Sequence, residues 1–155
     1  MLHKRGWYVI PSYDFSGPND DKAPKLQGLG NGFVLPDLDI SRNGKRKWAE
    51  VKTKDEATFT RITQKLEHGI PLRHFRDYKI VREITGCEVF LFVYEIRTGD
   101  ILYASLDNPD FLATKRIYKG NKMSLGGMIF WPREAFGVLC NILQPSFLNA
   151  SLVNS

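Results

Sequence analysis

Cysteine is nearly absent: Cys87 and Cys140 are the only two, far apart and without CxxC spacing. That argues against a disulfide framework and against a zinc knuckle, and it makes a reducing cytoplasm the expected setting. Histidine is equally sparse, and His68 and His74 lack the HExxH spacing of a histidine zinc site. No apolar run approaches the roughly 18 residues of a membrane span. The start, Met1-Leu2-His3-Lys4-Arg5, leads into a strand-like segment and not into the apolar core of a signal peptide. The chain therefore reads as soluble and cytoplasmic, with no membrane partner. Internal repeats and low-complexity tracts are also missing.

Negative charge is in the minority. Seventeen Asp and Glu face 22 Lys and Arg, for a formal charge of +5 and a pI of about 9.2. This balance suits a polyanionic partner without requiring one. With 155 residues, 43% of them hydrophobic, the chain suits a single domain with a real core.

What is present is a hairpin whose register can be counted. Asn43-Gly44 is a strong signal for a two-residue type I′ turn, because both residues tolerate positive φ. Arg42 then pairs with Lys45, and Asp37 falls opposite Glu50. Side chains alternate with a period of two, so Asp39 and Lys52 share the face of Asp37 and Glu50. The other face reads Val34, Pro36, Leu38 and Ile40 against Ala49 and Val51, an apolar surface expected to be buried under helices. The polar row is then the working side of the sheet. Two carboxylates placed opposite each other repel unless a cation or proton lies between them, which makes this row a candidate metal site.

Elsewhere the pattern predicts a first strand at 6–10, a long polar loop over 12–32 containing Lys22-Ala23-Pro24-Lys25, and a helix over 55–67 from the spacing of Phe59, Ile62 and Leu66. A second helix is expected over 72–84, with Phe75, Ile80 and Ile84 as its core stripe and Thr85-Gly86 as its end. Strands follow at 89–94 and 101–104, joined by the turn Arg97-Thr98-Gly99-Asp100. Pro109 opens a short helix, 128–131 is an apolar strand, and Pro132 starts a short helix through Leu139. This order gives an α+β domain with a mixed central sheet flanked by helices.

Pro36-Asp37, then Glu50-Val51-Lys52 after a hairpin turn, resembles the active-site signature of the PD-(D/E)XK nuclease superfamily. The resemblance implies a restriction-endonuclease-like core over roughly 6–104, an extension over 105–143 and a tail over 144–155. It implies Asp37, Glu50 and Lys52 as catalytic residues. Mg²⁺ or Mn²⁺ would be held by Asp37, Glu50 and the Val51 carbonyl, and Lys52 would orient the attacking water and stabilise charge on the phosphate. Asp39 is an auxiliary candidate by parity. Gln64 and His68, one turn apart on the helix expected after Lys52, are auxiliary candidates by position. Lys45, Arg46 and Lys47 with Arg61, Lys65, Arg73 and Arg76 form the expected footprint on the nucleic-acid backbone. Trp48 and Tyr78 are either base-stacking or core aromatics. The implied function is a metal-dependent nuclease acting on DNA, working as a homodimer or recruited by a protein partner. The alternative is a non-catalytic nucleic-acid-binding module of the same fold. That alternative rests on the helix that family members usually carry before the first strand, since only five residues precede Gly6.

Overall fold

A computed structural model describes residues 2–12, 25–27, 32–119 and 126–143. Lys22, Ala23 and Pro24 of the polar segment, and the tail over 144–155, lie outside the described residues. After a 3₁₀ turn at His3–Arg5 come strands β1 (Tyr8–Pro11), β2 (Lys25–Gln27), β3 (Gly32–Val34), β4 (Leu38–Arg42), β5 (Lys45–Lys54), β6 (Thr58–Thr60) and β7 (Lys65–Pro71). Helix α1 (Leu72–Thr85) leads to β8 (Val89–Glu95) and β9 (Asp100–Ser105). Helix α2 (Pro109–Ala113), β10 (Arg116–Tyr118), β11 (Met128–Pro132), a 3₁₀ turn at Arg133–Ala135 and β12 (Gly137–Asn141) complete the order.

The central sheet has six strands in the order β1-β4-β5-β8-β9-β12. β5 and β8 run parallel, and the other neighbours are antiparallel. The expected α+β class and mixed sheet are both present. The hairpin register is the one counted from the turn: Arg42 faces Lys45 and Leu38 faces Ala49. Asn43 and Gly44 have φ of 51° and 73°, as a type I′ turn requires.

Four expectations fail. The segment 12–32, expected as a loop, contains β2, which pairs with β3. Residues 55–67 are not helical. They form the β6–β7 hairpin, which joins β10 and β11 in a second, four-stranded sheet. Phe59, Ile62 and Leu66 are 55, 83 and 46% exposed, so their spacing marked no buried stripe. Thr58, Phe59 and Thr60 instead follow β preference as β6, and 61–64 form the turn into β7. Of the stripe expected on α1, Phe75 packs on the core but Ile84 is exposed, and the buried residues of the helix are Leu72, Tyr78 and Val81. Beyond Pro132 the expected helix shrinks to a single 3₁₀ turn, and the chain returns to the central sheet as β12.

The two faces of the central sheet carry unequal loads. Trp48, Leu91, Val93, Leu102 and Ala104 face α1, α2 and the second sheet in the main core. Ile40, Ala49 and Phe92 face the other way, with Val9 of β1 beside Ile40 and with Leu2 and Trp7 packed against them. Trp131 ties the main core together. It is fully buried, stacked on Phe111 of α2 at 5.0 Å and edge-on to Phe75 of α1 at 5.8 Å. Such pairs are worth about 0.5–1.5 kcal/mol each beyond the area they bury, and they fix α1 against the second sheet.

Candidate active site

Glu50 lies on the face that buries more, not on an open polar row. By parity it sits with Trp48 and Lys52 on the α1 side of β5, beside Leu91 of β8. The helix is anchored there at its C-terminal end. Trp48 Nε1 donates to Thr85 Oγ1 at 3.1 Å, and Thr85 in turn donates to the Val81 carbonyl at 2.7 Å. Gly86 then takes the left-handed conformation that closes the helix, its N–H bonding the Arg82 carbonyl. Counting back by turns brings Tyr78 and then His74 along the strand toward Glu50 and Lys52. Both residues make electrostatic contacts there: Tyr78 hydrogen-bonds Glu50, and His74 feels Lys52 and Asp37.

Glu50 is 1% exposed. Lys52 forms an ion pair with its Oε1, while Oε2 is buried without a hydrogen-bond partner among the described residues. Burial pushes the Glu50 carboxyl above the usual range. Lys52 opposes this, the Asp37 charge adds to it, and the hydrogen bonds from Lys52 and Tyr78 oppose it again. Two carboxylates thus bear on one another here, with Lys52 as the cation that opposes them. Asp37, in the bend before β4, accepts a hydrogen bond from the Val51 N–H at 2.8 Å through Oδ2. That bond holds it beside the middle of β5.

His74 is a residue that pattern reading set aside. Burial lowers its pKa, and Arg73 and Lys52 add to the effect against Asp77 and Asp37, so the ring is neutral at pH 7. Its Nδ1 is buried without a partner among the described residues. The available signal was the i, i+4 pairing of His74 with Tyr78 on one helix face; the rings lie 6.0 Å apart. Asp77, on the same helix, accepts from the Val34 N–H at 3.2 Å and ties β3 to α1.

The auxiliary candidates disperse. Asp39 is engaged by Arg46, which donates through Nε and through Nη2 at 2.6 Å, and Arg46 also lies over the Trp48 ring. Gln64 occupies the β6–β7 turn with φ 56°, exposed, donating to the Arg61 carbonyl. His68 is in β7, 4% exposed, hydrogen-bonded to Glu95 at 2.7 Å and edge-on to Phe136. Neither contributes to the electrostatics of Glu50, because the helix that would have carried them there does not exist. Trp48 and Tyr78 are 5 and 1% exposed, which makes them core residues and not stacking platforms.

The basic candidates do not form one stripe. Lys45 is exposed at the hairpin end, and Arg73 and Arg76 are exposed on α1. Lys47 pairs with Glu88 and lies over the Phe90 ring. Arg61 and Lys65 belong to the β6–β7 hairpin, where Lys65 pairs with Glu134 at 2.7 Å.

Among the described residues, no group of three or more His, Cys, Asp and Glu side chains could hold a metal ion. The donors at this site are two carboxylates and a backbone carbonyl. All are hard oxygen ligands of the kind Mg²⁺ and Mn²⁺ take. The unpaired Oε2 of Glu50 and the neighbouring charge of Asp37 fit such an ion. No helix among the described residues is long and apolar enough to cross a membrane.

No protein-family model matches the chain, and no curated protein matches it. Solved structures do. The Holliday junction resolvase Hjc of Archaeoglobus fulgidus aligns over 87% of this chain and 82% of its own, at 12% identity and a TM-score of 0.51. D212, a nuclease from a fusselovirus, aligns over 86% of this chain and 70% of its own, at 13% identity and a TM-score of 0.47. At 12% identity the likeness to Hjc is one of architecture, and the chain has the restriction-endonuclease-like fold.

Proposed function

We propose that this protein is a metal-dependent nuclease that hydrolyses phosphodiester bonds of DNA at Asp37, Glu50 and Lys52. The observation that carries the reading is Glu50. It is a buried carboxylate on a central strand, with one oxygen bonded by Lys52 and the other unpaired. An unpaired buried polar atom costs about 1–3 kcal/mol, more when charged, and a cation at this position would offset that cost.

Asp37, Glu50 and the Val51 carbonyl would hold Mg²⁺ or Mn²⁺, which when bound polarises a phosphate and lowers the pKa of water. The chain's own groups do the rest. The Val51 N–H fixes Asp37, and the Tyr78 hydrogen bond favours the charged form of Glu50. Lys52, with 29% of its side chain exposed, can donate to a phosphate oxygen as negative charge grows on it. Neutral His74 offers a polar atom to a water or phosphate near Lys52. Arg73 and Arg76, exposed on α1, would follow the substrate backbone.

A second reading has one observation in its favour: Lys52 already neutralises part of Glu50 internally, as it would in a module that binds nucleic acid without cutting it. The experiment is incubation of the purified protein with labelled linear, single-stranded and branched DNA, in Mg²⁺, Mn²⁺ or EDTA, beside Glu50→Gln. Metal-dependent cleavage lost in the variant supports the nuclease. Binding without cleavage across the panel supports the second reading.

A further inference from the structure

The central strands are apolar on both sides, but only one side is thickly covered. β5 sends Trp48 one way and Ala49 and Val51 the other, and β8 sends Leu91 and Val93 one way and Phe90 and Phe92 the other. A parallel pair of this kind is ordinarily covered on both faces. Both helices and the second sheet lie on the Glu50 side. On the opposite side, the cover among the described residues is the segment that carries Leu2 and Trp7 ahead of β1.

An open apolar depression of about 290 Å³ remains there, floored by Leu38, Val51, Phe92 and Ile101. It meets a second of about 200 Å³ over Phe90 and Tyr103, the two sharing Leu2, Phe92 and Leu139. Phe90, Phe92 and Tyr103 stack in a row, with centroid separations of 6.2 and 6.5 Å. Val51 is 38% exposed.

One end of this surface is basic. Arg5, Arg42 and Lys47 line the second depression, and Lys45, paired with Arg42, shares its face. Lys47 is matched by Glu88 at 2.8 Å. Arg42 and Lys45 are exposed and make no ion pair among the described residues. An occupant must therefore bring apolar side chains for the floor and negative charge for the end. A phosphate backbone meets only the second need. A second copy of this chain meets the first, but a two-fold contact would double the unmatched positive charge.

We propose that this face docks an amphipathic protein segment whose apolar stripe is flanked by acidic side chains. The inference is independent of the nuclease reading, because the surface lies across the sheet from Glu50. The test is fluorescence anisotropy with two labelled helical peptides. One carries a leucine stripe flanked by glutamates, and in the other the glutamates are replaced by lysines. The glutamate peptide should bind saturably, and the lysine peptide about tenfold more weakly or worse. Arg42→Glu combined with Lys45→Glu, exposed changes that should leave the circular dichroism spectrum unaltered, should reverse that order of preference. Unlabelled duplex DNA should not displace the peptide. Equal binding of both peptides, no binding, displacement by duplex DNA, or a dimer in light scattering that Arg42→Glu and Lys45→Glu abolish would each overturn the proposal.

Discussion

The backbone N–H of Val51 donates to Asp37 Oδ2 at 2.8 Å, so the carboxylate before β4 is fastened to the residue between Glu50 and Lys52. This separates a structural role of Asp37 from a chemical one. Asp37→Asn keeps an acceptor for the Val51 N–H, whereas Asp37→Ala removes it and should cost about 1 kcal/mol in urea unfolding. On the nuclease reading both variants lose cleavage by more than about 100-fold, since changes even in the outer shell of a metal site cost 10–100-fold. An Asp37→Asn enzyme cutting at the wild-type rate would remove Asp37 from the site.

Glu50→Gln should abolish cleavage without lowering stability. The substitution removes a buried charge whose Oε2 is unpaired, and it leaves Lys52 with enough exposure to be hydrated. Thermal unfolding should occur at or above the wild-type midpoint, the usual pattern where a functional group sits at a cost to stability. A large loss of stability would instead mean that the Lys52 ion pair is a structural tie.

The opposite pattern is expected at Glu95. It is fully buried, bonded by Arg133 at 2.7 Å, by His68 at 2.7 Å and by Thr98 at 2.9 Å, and it links the second sheet to the first. Arg133→Leu strands that charge. Breaking a buried pair in this way costs about 3 kcal/mol or more, which for a chain of this size lowers the melting temperature by roughly 10 °C. Differential scanning calorimetry measures it, and cleavage by the folded fraction should be unchanged.

Stability should fall toward acid pH in two windows. Burial lowers the pKa of His68, with the Glu95 bond opposing. The folded protein therefore resists protonating it, and its contribution is present above about pH 6.5 and lost as pH falls below that value. For Glu67 and Glu95, burial raises the pKa but the bonds from Arg116 and Arg133, with their neighbours, outweigh it and hold the carboxyls below the usual range. Their contribution is present above about pH 4.3 and lost as pH drops through the lowered values. Chemical unfolding at a series of pH values, beside His68→Gln, checks the assignment: the variant should lose the His68 share of the upper window, keep the share of His74, whose pKa burial also lowers, and keep the lower window.

The hairpin was legible because a two-residue turn leaves little freedom in register. Asn43-Gly44 sets Arg42 against Lys45, and the rest of the ladder follows. Which face of that ladder would be buried was not legible. Parity puts Glu50 and Lys52 on one face of β5, while Asp37, in the bend before β4, is held by the Val51 N–H; parity says nothing of Trp48, Leu91 and Val93 converging on the same side from two strands. Residues 55–67 misled for a related reason. Phe59, Ile62 and Leu66 recur at helical spacing, but periodicity reports a helix only when it reports burial, and these side chains are exposed. Gln64 and His68 lost their proposed place with that helix. His74 gained one because α1 is anchored through Thr85 to Trp48, a contact between residues 37 positions apart that no local pattern encodes.

The most direct test is Mn²⁺ binding, followed by electron paramagnetic resonance in the wild-type protein, Asp37→Asn and Glu50→Gln. The nuclease account requires one saturable site in the wild type that both variants weaken severely. Equal binding by all three proteins, or none by the wild type, would contradict it.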